Sequence, residues 1–231
     1  IIMDSKDREN LLYSEGKRVL ISTEELHMIE MLKKSIKSDQ SLLDVGCGSG
    51  EMTKELATLG LETSGVDFSE VAIDLAKKNN VDGYVCDIDK GLNFNDKKFD
   101  FVWAGDVIEH VFDPIFVISE CARVLKDNGT FYATIPHDLN WRVRIKTFFG
   151  ISYQEAVYRK YNQYKHHTFF SERLMRYMYE RAGLKIVDMY YMRGRKNKKI
   201  SRNPIYNIFS TLMIVEAKKN RMKLVKRNIA G

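Results

Sequence analysis

Between residues 41 and 136, five short apolar runs are interleaved with stretches of helical period. This rhythm constrains the fold more than any other feature of the chain. SLLDV, LETSGVD, DGYVCD, FDFVWAG and TFYATIP read as strands, while 51–60, 70–80 and 114–129 read as helices ending in glycine or asparagine. Strands that are apolar on both faces and joined by helices predict an α/β fold with a doubly wound parallel sheet. Residues 4–38 carry a further helical period, with Leu26, Ile29, Leu32 and Ile36 in phase. After residue 136 the pattern changes: 137–170 is aromatic and basic, 171–183 is helical, and 184–192 and 210–218 read as strands around a polar connection at 193–204. A length of 231 residues fits one generous domain over 1–231.

The first strand ends in Asp44-Val-Gly46-Cys47-Gly48-Ser-Gly50. Alternate glycines let a turn bend sharply and approach a ligand where a Cβ would intrude. An acid two residues before the first glycine favours a cationic ligand group, and the turn lacks the Lys-Ser/Thr ending of a phosphate loop. Asp67 closes the second strand, where a carboxylate can accept two ribose hydroxyls, and Asp87 closes the third, within reach of an adenine amino group. One strand-end aspartate alone reads as a turn or cap. Three of them in register with a glycine loop point to a nucleoside-bearing ligand beyond the carboxyl ends of the strands.

LLDVGCGSG, GVDFS, CDID and LKDNGTFYATIP together resemble the motifs of class I S-adenosylmethionine-dependent methyltransferases over about residues 40–136. The resemblance implies a seven-stranded, mostly parallel Rossmann-like methyltransferase fold with a helical lid insertion after strand five. It also implies S-adenosyl-L-methionine as cofactor. Asp44, Gly46, Cys47, Gly48 and Gly50 would hold its methionine half and Asp67 its ribose. Phe68 and Ile88 would flank the adenine and Asp87 would bind its amino group. Phe68 reads equally well as a core aromatic.

After the fourth strand comes Asp106-Val-Ile-Glu109-His110-Val-Phe-Asp113-Pro114. On a helical turn, Asp106, Glu109 and His110 would share one face. The segment resembles the EHVxDP signature of quinone-biosynthesis O-methyltransferases and their relatives acting on sugars and lipids. That resemblance assigns Asp106 to the cofactor, and Glu109 and His110 to catalysis, as a base for a hydroxyl nucleophile. The pair reads equally as a structural brace for the loop. Some relatives bind a divalent metal here, with a later histidine; the expectation for this chain is no metal.

The insertion at 137–170 reads as a lid with its own small core. His137, Trp141, Arg142, Arg144, Tyr164 and His167 are its candidate substrate contacts, with His166-His167 where it rejoins the sheet. Charge divides at the same point: residues 1–135 hold 15 Lys+Arg against 25 Asp+Glu, and 136–231 hold 22 against 6. The basic part predicts an anionic partner. A small or lipid-linked anionic acceptor fits, such as a sugar intermediate or quinone precursor, with peripheral membrane contact. RNA 2′-O-methylation is the alternative, served by basic tracts 193–202 and 218–227. A non-catalytic SAM-binding module is the third reading. Three cysteines without metal-like spacing, no apolar run of membrane length and a charged beginning predict a cytoplasmic protein without disulfides.

Overall fold

A computed structural model describes residues 10, 13, 21–37, 39–138, 140–152, 155, 166–193 and 199–219. The strands are β1 (Ser41–Val45), β2 (Glu62–Asp67), β3 (Asp82–Val85), β4 (Phe99–Gly105), β5 (Leu125–Pro136), β6 (Leu184–Arg193), β7 (Lys199–Ser201) and β8 (Leu212–Lys219). The helices are α1 (Thr23–Lys33), α2 (Glu51–Ala57), α3 (Glu70–Lys78), α4 (Pro114–Val124), α5 (Trp141–Phe148) and α6 (Glu172–Arg181). The strands form one sheet in the order β3-β2-β1-β4-β5-β8-β6-β7. β1 to β5 pair in parallel, and β8 runs antiparallel to both β5 and β6. The sheet order reverses between β1 and β4, which places a ligand crevice at the carboxyl ends of those strands.

Residue parity along the strands sorts the core into two layers. Leu43, Val102 and Phe131 face a cluster that includes Val117 and Ile118 of α4 and Met175 and Tyr179 of α6. Their neighbours Leu42, Trp103 and Tyr132 face the other way, onto Met28 and Leu32 of α1 and Met52 and Leu56 of α2. This is the period-two consequence of strands covered on both sides. Ser22 and Glu25 form a reciprocal capping box that starts α1, the Ser22 hydroxyl accepting from Glu25 N–H and the Glu25 carboxylate accepting from Ser22 N–H. Ser69 and Ser171 cap α3 and α6 in the same accepting role.

Two expectations from sequence need correction. The sheet has eight strands rather than seven, because β7 pairs through three residues with Tyr191–Arg193 inside the polar connection. A strand that short, without apolar alternation, leaves no periodic signal. The helix predicted to run to Gly129 ends at Val124 instead. Leu125 already pairs with Phe99, and the ladder resumes only at Thr130 opposite Phe101. The intervening Lys-Asp-Asn-Gly bulges out, with Asn128 at φ 69°. All three cysteines are buried and unpaired. No helix among the described residues is long and apolar enough to cross a membrane.

Candidate active site

The glycine loop follows β1 and leads into α2. Gly46 sits at φ 74°, and a Cβ there would meet Val107 Cγ2 at 2.4 Å. Gly48 sits at φ 54°, and a Cβ would meet the Tyr13 hydroxyl at 2.6 Å. Both positions therefore need glycine twice over, for backbone conformation and for space. Cys47 N–H donates to the Val66 carbonyl at 2.9 Å, tying the loop to β2. Its side chain packs on Gly65, where an added Cβ would lie 2.7 Å from Sγ. Burial pushes the Cys47 thiol well above its ordinary range, so it packs as an uncharged group.

A cavity of about 270 Å³ opens against this loop, lined on one side by Asp44, Gly46, Cys47 and Gly48 and on another by Trp103, Gly105, Asp106 and Thr134. Asp44 is buried and accepts from the Thr53 hydroxyl at 2.6 Å. Burial, with repulsion from Glu25 and Asp67, raises its pKa to about 7 against that hydrogen bond. Asp106 follows β4 at φ 52°, a left-handed conformation that costs energy for any residue with a Cβ. Thr134 holds it there: its hydroxyl accepts from Asp106 N–H and donates to Asp106 Oδ1, both at 2.9 Å. Asp106 is open to the cavity yet ringed by protein, and this desolvation raises its pKa, with Glu24 and Glu25 adding repulsion. The remaining lining comes from Ile21, Ser22, Glu24 and Glu25 at the start of α1, from Ser49, Glu51 and Met52 at the start of α2, and from Tyr13. The sequence reading did not assign these to the site. Helical periodicity reports which face of α1 is apolar and carries no signal for what its first turn reaches across the sheet.

The other cofactor candidates stand outside that lining. Asp67 is buried, accepting from Gly48 N–H at 3.0 Å and from Ser69 N–H at 2.9 Å. Its carboxylate thus fixes the loop and the start of α3 together. Phe68 is half-buried. Asp87 is exposed; it caps the 3₁₀ turn Ile88–Lys90 and pairs with Lys90 at 2.9 Å. Ile88 packs at the edge of the core layer that holds α4.

Residues 106–110 do not form the helical turn on which the three would share a face: a bend at Asp106 leads to a turn over 108–110, and Asp106 lines the cavity while Glu109 and His110 do not. Glu109 is 2% exposed, and its Oε2 accepts no hydrogen bond. Burial, then repulsion from Asp106, pushes its pKa up to about 8. His110 Nε2 stands 3.9 Å from Glu109 Oε1. The Glu109 carbonyl accepts from His167 N–H at 2.8 Å and Thr168 N–H at 3.3 Å, which brings the end of the insertion onto the motif. His166 meets His110 edge-on with ring centroids 5.0 Å apart, and His167 stacks on Phe112 at 4.9 Å. Ligand atoms of Glu109, His110 and His166 lie within 4.8 Å of one another, a donor set suited to a divalent cation.

The remaining lid candidates divide. His137 is buried, with Nδ1 3.0 Å from the Ser210 hydroxyl, and burial lowers its pKa. It joins the end of β5 to the approach to β8, away from the cavity lining. Trp141, Arg142 and Arg144 lie exposed on α5, with the Arg142 guanidinium over the Trp141 ring at 5.5 Å. Tyr164 lies outside the described residues, as do Tyr153, Tyr158, Arg159, Lys160, Tyr161 and Lys165. Asp138 was not singled out by sequence: its N–H donates to the Phe170 carbonyl and its Oδ2 accepts from Phe170 N–H. A lone aspartate after a strand gives no hint of a partner 32 residues away.

Residues 43–133 match the methyltransferase domain family. The chain is 34% identical over 141 residues to the ubiquinone biosynthesis O-methyltransferase of Coxiella burnetii, a match spanning 55% of this chain and 59% of that relative. A SAM-dependent methyltransferase from Thermotoga maritima shares the fold with a TM-score of 0.64 at 20% identity, over 85% of this chain and 89% of that one. Phosphoethanolamine N-methyltransferase 2 of Haemonchus contortus, solved in complex with S-adenosyl-L-methionine, gives 0.65 at 20% identity, over 85% and 53%. The glycine loop and the strand-end acids fall inside the matched stretch, so residues 43–133 carry a methyltransferase domain, on a Rossmann-like fold that solved S-adenosylmethionine-dependent methyltransferases share.

Proposed function

We propose that the protein is an O-methyltransferase acting on a hydroxyl of a lipid-linked, quinone-precursor-like acceptor. Bound S-adenosylmethionine supplies a methyl group already activated on a sulfonium. The chain's own task is to align the acceptor oxygen, exclude water and take its proton. The observation that carries the reading is the Glu109–His110 pair at the end of β4, with His166 beside it. His110, on the exposed side of the pair, takes the hydroxyl proton, and the Glu109 carboxylate stabilises the imidazolium. The names of the relatives at 30–34% identity support oxygen as the acceptor atom.

Helix α5 supports the lipid linkage. Trp141, Ile145 and Phe148 recur at i, i+4 and i+7, and Phe148 is 85% exposed. Arg142, Arg144 and Lys146 are exposed on the same helix. A basic helix with bare aromatics is the form that rests in the interface of an anionic bilayer. The RNA alternative draws on tracts 193–202 and 218–227, most of which lie outside the described residues.

The test is transfer of labelled methyl from S-adenosylmethionine to a demethylated polyprenyl catechol, a soluble sugar acid and a structured RNA. Labelling of the first is expected; labelling of RNA alone moves the protein to the alternative. His110→Ala should lower turnover roughly 10²-fold and leave cofactor affinity unchanged; collapse of cofactor binding would make His110 structural. Turnover should rise with pH as Glu109 ionises through about 8. Stability should move oppositely. A carboxyl whose pKa is raised by folding stabilises fully below the ordinary carboxylate range, and that stability is lost as pH rises through about 8. Glu109→Gln should flatten both profiles. Activity lost to a chelator and restored by Mg²⁺ or Mn²⁺ would assign the Glu109–His110–His166 trio to a metal.

A further inference from the structure

The cavity against the glycine loop is lined by acidic side chains and no basic ones among the described residues. The acids are Glu24 and Glu25 of α1, Asp44 of β1, Glu51 of α2 and Asp106 after β4. These acids come from four separate parts of the chain, so their shared position is a property of the fold rather than of one acidic run. They are not gathered round a point. Among the described residues, the trio with ligand atoms converging within 4.8 Å is Glu109, His110 and His166, outside this cavity. Carboxylates spread along a wall suit positive charge carried on an extended organic ligand better than a compact metal ion.

Asp44 and Asp106 are held by threonine hydroxyls and stand at the ends of the strands that build the crevice. Glu24 and Glu25 differ, because they belong to a helix outside the motif-bearing stretch. Glutamates in a first turn also favour the helix dipole, but that role needs no cavity in front of them. Here Glu24 is buried, Glu25 is anchored through the Ser22 N–H, and both line the space facing Asp106.

We infer that Glu24 and Glu25 make the site discriminate between the charged cofactor and its neutral-sulfur product, binding S-adenosylmethionine more tightly than S-adenosylhomocysteine. The inference rests on the methyltransferase reading. Both ligands carry the same ammonium and carboxylate; they differ by the sulfonium charge. In transfer the S–CH₃ bond breaks, the O–CH₃ bond forms and the sulfur keeps the bonding pair as a neutral thioether. The acceptor proton passes to the His110–Glu109 pair. The ligand thereby loses one positive charge inside an acidic wall, and the attraction that held it falls at the moment product is made. Carboxylates along a cavity wall act on a ligand charge over several ångströms, which is enough to set a preference of about tenfold.

Equilibrium binding of three ligands to wild type, Glu24→Gln and Glu25→Gln tests this. The ligands are S-adenosylmethionine, S-adenosylhomocysteine and sinefungin, which bears a protonated amine in place of the methylated sulfonium. Wild type should prefer both charged ligands. Each variant should bind the charged ligands about tenfold more weakly and S-adenosylhomocysteine within about twofold of wild type, so that the preference shrinks. An equal loss for all three ligands, or no loss, overturns the inference. Gln keeps the accepting oxygen of the capping box, so Glu25→Gln serves if Glu24→Gln does not fold. Failure of wild type to bind any of the three overturns the methyltransferase reading itself.

Discussion

The region around the glycine loop and the region after β5 solve opposite problems. The first is acidic, enclosed and tightly determined: glycine positions leave no room for a Cβ, and Asp67 fixes two backbone N–H groups at once. The second is basic and open, with α5 burying none of its residues. A cofactor common to a whole family is met by backbone geometry that tolerates little change. The exposed side chains of the short helix α5 carry no such constraint on residue type. The contrast teaches where to expect large and small effects of substitution.

The largest effect should come from the enclosed region. Asp67→Ala removes the acceptor of Gly48 N–H and Ser69 N–H and the proposed ribose contact, and should cost on the order of 3 kcal/mol in cofactor binding by calorimetry. Equal affinity would break the comparison by showing that the loop holds without its acid. In the open region, Phe148→Ser with Phe149→Ser should weaken sedimentation with phosphatidylglycerol vesicles about tenfold. Turnover on a water-soluble acceptor should stay unchanged. Wild type that ignores such vesicles would leave α5 without its proposed surface. The smallest effect belongs to the scaffold beneath both. The Tyr179 hydroxyl is buried without a hydrogen-bond partner among the described residues, so Tyr179→Phe should be neutral or stabilising by up to about 1 kcal/mol in denaturant titration.

What could be read from sequence follows the same division. That Asp44, Gly46, Gly48 and Asp106 line one cavity was legible because close approach and strand-end placement restrict residue type locally, whereas Asp67 braces the loop from outside that lining. The alternation of strand and helix was legible because burial on both faces imposes it. Glu24, Glu25 and Trp103 were not, because their place in the cavity depends on how α1 and β4 pack across the sheet. The conformation of 106–110 was not legible either: i, i+3, i+4 spacing would put three side chains on one face only of a helical turn, and it carries no information about the positive φ that Thr134 stabilises at Asp106. β7 and the early end of α4 escaped because pairing with a neighbouring strand decided them, against weak local preference.

The double clasp between Asp138 and Phe170, with the Glu109 carbonyl holding residues 167 and 168, shuts the stretch after β5 into a closed loop. Its two ends are fastened to each other and to the sheet before anything between them is specified. The entropic cost of such a closed segment grows only with the logarithm of its length. Insertions or deletions between the clasps are therefore expected to cost little stability. A change of length there should leave the Glu109 backbone in place, provided that His166 is kept against His110. On the function proposed above, acceptor choice would then be mechanically separable from binding of the cofactor.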